Sequence, residues 1–410
     1  MRRVVITGLG AITPIGNTKD ELWNGILENK NGIDNITHFD TSDMKVKLAA
    51  EVKGFDPLKF LDAKAVRTND LYTIYARCAA KEAVLDANLN KDELDKSRFG
   101  AIISSGIGGI ETLAINEDTL KEKGPDRISP YFIPKTLANI AAGQVAIDNG
   151  CNGYVSSVVT ACAASTNAIG DAYLRIKFDQ EDVMLAGGAE AAITKLGVAG
   201  FQALKALSLS TDKNRASIPF DLERNGFVMG EGGAVLVLEE YEHAKKRNAH
   251  IYAEIVGYGA SCDAFHITAP LSDGSGAALA INKALKDANI TPNDIDYINA
   301  HGTSTHLNDS GETLAIKKVF GSDNKVKVSS TKSNTGHLLG ASGAVEAVIS
   351  VLALKNNLIP ATINYKISDP ECDLNLVVNK NEEMKLNYVM SNSLGFGGHN
   401  ASIIFKKIGE

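Results

Sequence analysis

Six residues constrain the fold of this chain more than any others: Thr160-Ala161-Cys162-Ala163-Ala164-Ser165. They join an apolar run, Tyr154 to Val159, to a segment from Thr166 to Lys177 in which Ile169, Tyr173 and Ile176 recur at helical spacing. The run reads as a buried strand and the segment as a helix, so the join is a strand-to-helix turn made of small residues. Such a turn leaves backbone N–H groups unpaired at the positive end of a helix dipole. A cysteine there is expected to favour the thiolate, the nucleophilic form. The small neighbours Ala161, Ala163 and Ala164 leave a substrate room to approach. A free cysteine can equally pack as a small apolar side chain, and on this stretch alone both readings stand.

The same rhythm runs along the whole chain. Strands are expected at Val4 to Ile6, Ala101 to Ser104, Val183 to Ala186, Ala234 to Leu238, Ala253 to Val256, Ile295 to Asn299, Lys327 to Ser330, Tyr388 to Ser391 and Ser402 to Phe405. Helices are expected at Asp70 to Asn88, Ile133 to Ala146, Tyr241 to Arg247, Gly276 to Ala288, Gly311 to Val319 and Ala341 to Lys355. Strands alternating with helices place the chain in the α/β class. A boundary near residue 250 divides it into 1–250, which holds the cysteine, and 251–410. A weak internal repeat crosses that boundary. Gly340-Ala341-Ser342-Gly343 opens a helix much as Cys162 does, and each half closes on a glycine turn and an apolar strand.

Composition narrows the function classes. The chain has 410 residues and a formal net charge of −7, with no global basic footprint for nucleic acid. Five scattered cysteines (78, 151, 162, 262 and 372) and no C-x-x-C suit neither a disulfide framework nor a zinc ribbon. No signal-peptide pattern and no apolar run of membrane-spanning length is read, so a cytoplasmic setting is expected. Gly8-Leu9-Gly10 and Gly106-Ile107-Gly108 suggest a dinucleotide fingerprint, but Thr13 and Glu111 stand where its third glycine belongs. These glycines are read as permitting close turns at strand ends.

Two histidines carry the chemistry further. His301 follows the strand at 295–299, in His301-Gly302-Thr303-Ser304-Thr305. His337 follows the strand at 327–330, in Lys332-Ser333-Asn334-Thr335-Gly336-His337. Open α/β sheets bind ligands beyond the carboxyl ends of their strands, where Cys162 also lies, so one cleft could hold all three. A zinc site is disfavoured. His301 and His306 are not spaced as H-E-x-x-H, Gly302 and the Thr/Ser run disfavour a helix there, and no carboxylate lies at ligand spacing. A cysteine hydrolase needs one histidine. Two imidazoles that both donate suit a developing oxyanion such as a thioester enolate. One cysteine with two histidines therefore points to acyl transfer followed by carbon–carbon bond formation.

These segments, with Gly395-Phe396-Gly397-Gly398-His399-Asn400, resemble the β-ketoacyl-acyl-carrier-protein synthases over essentially the whole chain. Within that family the likeness is to synthase II, the elongating condensing enzyme of bacterial type II fatty-acid synthesis. The resemblance implies a thiolase-like fold, two pseudo-repeated halves in five α/β/α/β/α layers. It implies an acyltransferase that makes 3-oxoacyl thioesters by decarboxylating condensation through an acyl-cysteine. It matches Cys162 to the nucleophile, the N–H groups of Cys162 and Phe396 to the oxyanion hole, and His301 and His337 to the decarboxylation pair. Lys332 and Glu346 match a buried ion pair, and Phe396 also matches a gate. Ile107, Phe201 and Gly397 match substrate-pocket positions, and Thr303 and Thr305 match contacts to the phosphopantetheine arm. That arm arrives on acyl-carrier protein, so no cofactor or metal of its own is expected.

Lys64, Arg67, Arg127 and Lys205 fall in segments that match the carrier-docking surface, although Thr68 and Asp126 stand where basic residues are common. The family also implies a homodimer, with Ile133 to Ala138 of the partner closing the acyl tunnel, and no nucleic-acid or membrane partner. A polyketide-type ketosynthase shares the triad. A thiolase would carry a second cysteine where Gly397-Gly398-His399 stands. A non-catalytic chain-length factor would lack the nucleophile.

Overall fold

The computed structural model describes residues 1–323 and 325–409, and its centre is a sheet of ten strands. In chain order these are β1 (Val4–Ile12), β2 (Phe99–Ser104), β3 (Val155–Ser156), β4 (Val183–Glu190) and β5 (Gly232–Glu240). They continue with β6 (Ala253–Cys262), β7 (Tyr297–Asn299), β8 (Lys327–Ser329), β9 (Tyr388–Gly395) and β10 (His399–Lys406). Across the sheet the order is β8-β7-β9-β10-β6-β1-β5-β4-β2-β3.

Divided between β6 and β1, that order is one pattern written twice. In the first half β1–β5 and β5–β4 are antiparallel, while β4–β2 and β2–β3 are parallel. In the second half β6–β10 and β10–β9 are antiparallel, while β9–β7 and β7–β8 are parallel. The weak repeat in the sequence is thus the architecture itself. Within the sheet, and among the described residues, the two halves pair where Val4, Val5 and Ile6 face Ile255, Glu254 and Ala253. Beyond Ile6 the strands part, and side chains take over the freed donors. Asp86 and Glu82 accept from Leu9 and Ala11 at 2.9 Å, and Asp287 accepts from Tyr258 at 3.1 Å in the matching position.

Four helices complete the layers: α1 (Leu71–Asp86), α2 (Ala164–Lys177), α3 (Ser275–Ala288) and α4 (Ser342–Asn356). Helix α1 covers the outer face of the first half-sheet and α3 that of the second. Helices α2 and α4 lie between the two half-sheets. Being covered on all sides, α4 is mostly apolar, with Glu346 and Ser350 among the buried polar exceptions. The window Leu339–Asn356 would suit a bilayer by length and composition, yet it is 89% buried inside the protein.

The structure bears out the turn reading for Gly106 and Gly108, which follow the end of β2, and corrects it for the other G-x-G pair. Gly8 and Gly10 lie within β1, not at a turn, and Gly257 and Gly259 repeat them within β6. A Cβ on Gly10 would stand 2.0 Å from the Ala79 carbonyl oxygen of α1, and one on Gly259 2.1 Å from that of Ala280 in α3. These glycines let the outer helices touch the strand backbone. Gly187 and Gly188 likewise lie inside β4, which runs on to Glu190.

Three further expectations change. The run 154–159 is not a buried strand: only Val155–Ser156 pairs, at the sheet edge, and Val159 is 55% exposed. The helix expected over 133–146 is two helices, Phe132–Thr136 and Ile140–Asn149. The helix expected from Gly311 begins at His306, immediately after the Thr/Ser run.

Candidate active site

Both central helices open through a three-residue turn, Ala161–Ala163 before α2 and Leu339–Ala341 before α4. Ala161 and Leu339 both take φ of 50°, a left-handed conformation that costs a non-glycine residue about 1–3 kcal/mol. The surrounding packing holds these turns in place, and Cys162 is the middle residue of the first. The end of β9 comes down on it. A Cβ on Gly395 would meet Thr160 O at 2.8 Å and the backbone nitrogens of Cys162 and Ala163 at 3.1 Å, so only glycine allows the approach. Positive φ at Gly397 (85°) and Gly398 (75°) then turns the chain into β10. The Phe396 N–H is thereby directed at the Cys162 sulfur.

His301 follows β7, and His337 follows β8 through the short helix Lys332–Thr335. Glu312 accepts from the backbone N–H groups of His301 and Gly302, both at 2.8 Å. His337 is held by its own N–H to Val228 O at 2.7 Å, and its Nδ1 lies 2.9 Å from Ser342 Oγ. The His337 ring also meets the Phe227 ring edge to face, with centroids 5.1 Å apart. His301 Nδ1 is buried and, among the described residues, has no hydrogen-bond partner. Lys332 and Glu346 form a buried ion pair, and the second Glu346 oxygen, Oε2, has no hydrogen-bond partner among the described residues.

One cavity of about 360 Å³ unites these groups, lined among others by Cys162, His301, His337, Phe201, Phe227 and Phe396. Thr303 and Thr305 also line it, with their hydroxyls 3.0 Å apart. Of the four docking residues, only Lys205 reaches its rim. Lys64, Arg67 and Arg127 are exposed outside the lining. Two pocket expectations are revised for the single chain. Ile107 is 38% exposed and does not line the cavity, and Gly397 is exposed at the tip of its turn while its neighbours do the lining.

The electrostatics correct a third expectation. Burial pushes the Cys162 thiol up to about 12, against the pull of the Lys332 charge and the Phe396 N–H. The helix start therefore does not yield a resting thiolate, because desolvation outweighs it. Burial also holds His301 and His337 well below the usual histidine range, with Lys332 adding to the effect, so both rings are neutral. Glu346 and Glu312 are raised to about 7 by the same cause. Among the described residues no cluster of metal-ligating side chains is found.

Sequence reasoning missed several residues. Glu312 carried only the faint signal of an acid on the buried face of a helix. Phe227 lies in a loop with no periodicity. Asp263, which accepts from Asn400 Nδ2 at 2.7 Å and braces the glycine turn, stands in a polar segment that gives no cue.

Comparison with known proteins agrees with this geometry. Residues 1–244 match the family model described as beta-ketoacyl synthase, N-terminal domain, and residues 252–366 match that for the C-terminal domain. The chain is 50% identical over 407 residues to the 3-oxoacyl-[acyl-carrier-protein] synthase 2 of Staphylococcus aureus (strain COL), covering 99% of this chain and 98% of the relative. Among solved structures it superposes on the ishigamide ketosynthase/chain length factor with a TM-score of 0.94 at 35% identity, covering 100% of each chain. It also superposes, with a TM-score of 0.91 at 36% identity and 100% coverage of each chain, on a ketosynthase solved with its type II polyketide acyl-carrier protein.

Proposed function

The chain belongs to the β-ketoacyl synthase family, and we propose how its residues divide that family's reaction. It is a condensing acyltransferase of fatty-acid synthesis, a 3-oxoacyl-[acyl-carrier-protein] synthase of the second type, and its substrates arrive on acyl-carrier protein. The observation that carries the division of labour is the convergence of Cys162, His301 and His337 on one cavity, with the Gly395–Phe396 turn against the cysteine.

Cys162 attacks the acyl thioester, and the neutral imidazoles on the same cavity wall are the groups available to take its proton. The carbonyl oxygen becomes negative between the N–H groups of Cys162 and Phe396, which are fixed before the substrate arrives. The carrier thiol leaves and an acyl-cysteine remains. A malonyl thioester then enters. With Nδ1 accepting from the Ser342 hydroxyl, His337 presents an Nε2–H to the cavity. That donor and His301 hold the thioester carbonyl. The bond to carbon dioxide breaks, and its electron pair passes to the α-carbon and the enolate oxygen. Neutral rings donate without themselves needing to ionise. The carbanion attacks the acyl-cysteine carbonyl, the C–S bond breaks, and the sulfur takes up a proton from solvent, its original one having left with the carrier thiol.

Thr303 and Thr305 guide the pantetheine arm, and Lys64, Arg67, Arg127 and Lys205 meet the acidic carrier. The active form is a homodimer joined at the β3 edge. Ile133, Leu137, Val155 and Val159 are exposed around that edge, and the Ser157 hydroxyl, 3.4 Å from Ala138 O, joins the two segments that carry them. A free strand edge beside an apolar patch is an interface signature.

The test is Cys162→Gln assayed with acyl- and malonyl-loaded carriers. Condensation is expected to vanish while carbon dioxide release from the malonyl carrier persists. Loss of both would remove the separation of roles. Graded acyl chains on the wild type then report the length range.

A further inference from the structure

Glu190 ends β4 with its side chain fully buried. Donors occupy both carboxylate oxygens. Oε1 accepts from the Ser105 hydroxyl at 2.7 Å and the Ile107 N–H at 3.2 Å, and Oε2 accepts from the Gly106 N–H at 2.7 Å and the Gly340 N–H at 3.0 Å. The Gly108 N–H donates to Ser105 Oγ at 2.9 Å, which leaves the serine's own hydrogen for Glu190. Burial raises this carboxyl above the usual glutamate range, and the four donors act against that rise: a proton on it would face a donor in every direction, so the hydrogen bonds favour the anion. Among the described residues no cation pairs with it, and a buried unpaired charge is costly. None of the roles assigned above uses it.

Its place in the repeat is informative. β4 and β9 are equivalent strands of eight residues, ending in Glu190 and Gly395. Cys162 and Gly340 are equivalent as the middle residues of the turns that open the central helices. The strand of the second half, β9, ends in glycine against the Cys162 N–H of the first half. The strand of the first half, β4, ends in a carboxylate bonded to the Gly340 N–H of the second. The donor equivalent to the Cys162 N–H is taken by the protein's own carboxylate.

That anion ties together the backbone behind the nucleophile. A Cβ on Gly340 would stand 2.2 Å from Gly106 N, and one on Gly188 2.8 Å from Ser165 Cβ, so the strands and turns meet there without slack. Leu339, next to the bonded Gly340, packs with Cys162 in one apolar cluster. His337 is anchored separately by Val228, Gly230 and Ser342.

We propose that Glu190 is a positioning residue for the acyl-transfer half of the reaction, locking the nucleophile's turn and holding a fixed negative charge behind it. This rests on the reading of Cys162 as the acyl-accepting nucleophile. The charge opposes ionisation of Cys162 at rest. The oxyanion donors and the substrate then activate a thiol that is otherwise kept quiet.

The experiment is Glu190→Gln, which must turn an amide NH₂ toward N–H or O–H donors. Acylation of Cys162 by acyl-carrier protein, read by intact mass, is expected to slow about tenfold or more. Carbon dioxide release from malonyl-carrier protein is expected to stay within about threefold of the wild type. Alkylation of Cys162 by iodoacetamide is expected to become faster at pH 7.5, its pH profile moving to lower pH. Parallel loss of both half-reactions, or an unmoved alkylation profile, would overturn the proposal. A wild type that forms no acyl-Cys162 would instead remove the nucleophile reading, and this proposal with it. If Glu190→Gln does not fold, Ser105→Ala decides: it removes one donor and leaves the carboxylate, so acylation slowed in smaller measure with carbon dioxide release unchanged supports the proposal, and an unchanged acylation rate overturns it.

Discussion

The rings of His301 and His337 meet edge to face, with centroids 5.3 Å apart and planes at 88°. They come from the ends of two adjacent parallel strands, and both are neutral because they are buried beside Lys332. Two neutral donors at that spacing suit one thioester oxygen. Replacing either with alanine is expected to cut malonyl decarboxylation by about 10²–10³, the usual loss for one oxyanion donor. Acyl-Cys162 should still form, as intact mass after mixing with acyl-carrier protein would record. Loss of acylation to the same degree would assign the rings to the first half-reaction as well.

The same burial makes a pH prediction. In the unfolded chain a histidine titrates near about 6.5, and in the folded chain these two lie well below it. The unfolded state therefore binds more protons as pH falls through about 6.5, and stability from these rings is lost below it. Glu312 and Glu346, raised to about 7, act in the opposite sense: their contribution is present at low pH and is lost as pH rises through about 7. The clean measurement is thus a difference. Urea midpoints of His337→Asn should fall less than those of the wild type between pH 7.5 and 5. Parallel curves would contradict a buried neutral ring.

Gly395→Ala should disable chemistry more than folding. The added Cβ would press on Thr160 O at 2.8 Å and on the Cys162 nitrogen at 3.1 Å, lifting the Phe396 N–H from the sulfur. Acylation is expected to drop about 10²-fold or more while the chain stays folded. An alanine variant that acylates at the wild-type rate would remove Phe396 from the oxyanion hole.

Lys332→Ala leaves Glu346 buried and unpaired, since the two face each other at 1% and 4% side-chain exposure. The expected cost is about 3–5 kcal/mol of folding stability by chemical denaturation. Lys332→Met with Glu346→Gln should recover much of that stability without recovering decarboxylation. If the double variant regained activity, the pair would be only a structural brace.

Much of the site was legible in the sequence because its chemistry sits in short local patterns. Cys162 lies in a turn of small residues, and His301 and His337 each follow a strand within Gly, Thr and Asn. What was misread depended on distant neighbours. Gly8 and Gly10 looked like turn glycines because nothing nearby announces that Ala79 and Ala83 will press against them. The run 154–159 looked buried because apolarity does not distinguish a sheet centre from an edge. Cys162 looked ionised because its dipole is local, whereas the desolvation that outweighs it comes from the whole fold. Ile107 reads as a pocket residue, yet the single chain leaves it at the surface.

The sequence by itself determined the α/β rhythm, the small-residue turn, the two histidines and the glycines that permit close approach. These follow from local sterics and spacing, which a linear order carries. Only the tertiary structure decided which groups share a cavity, which charges survive burial, and that the nucleophile's turn keeps its N–H open while the equivalent turn at Gly340 gives its N–H to Glu190. Those outcomes depend on desolvation and on contacts between segments more than a hundred residues apart, such as Glu190 and Gly340. They exist only once both half-sheets have closed over the central helices.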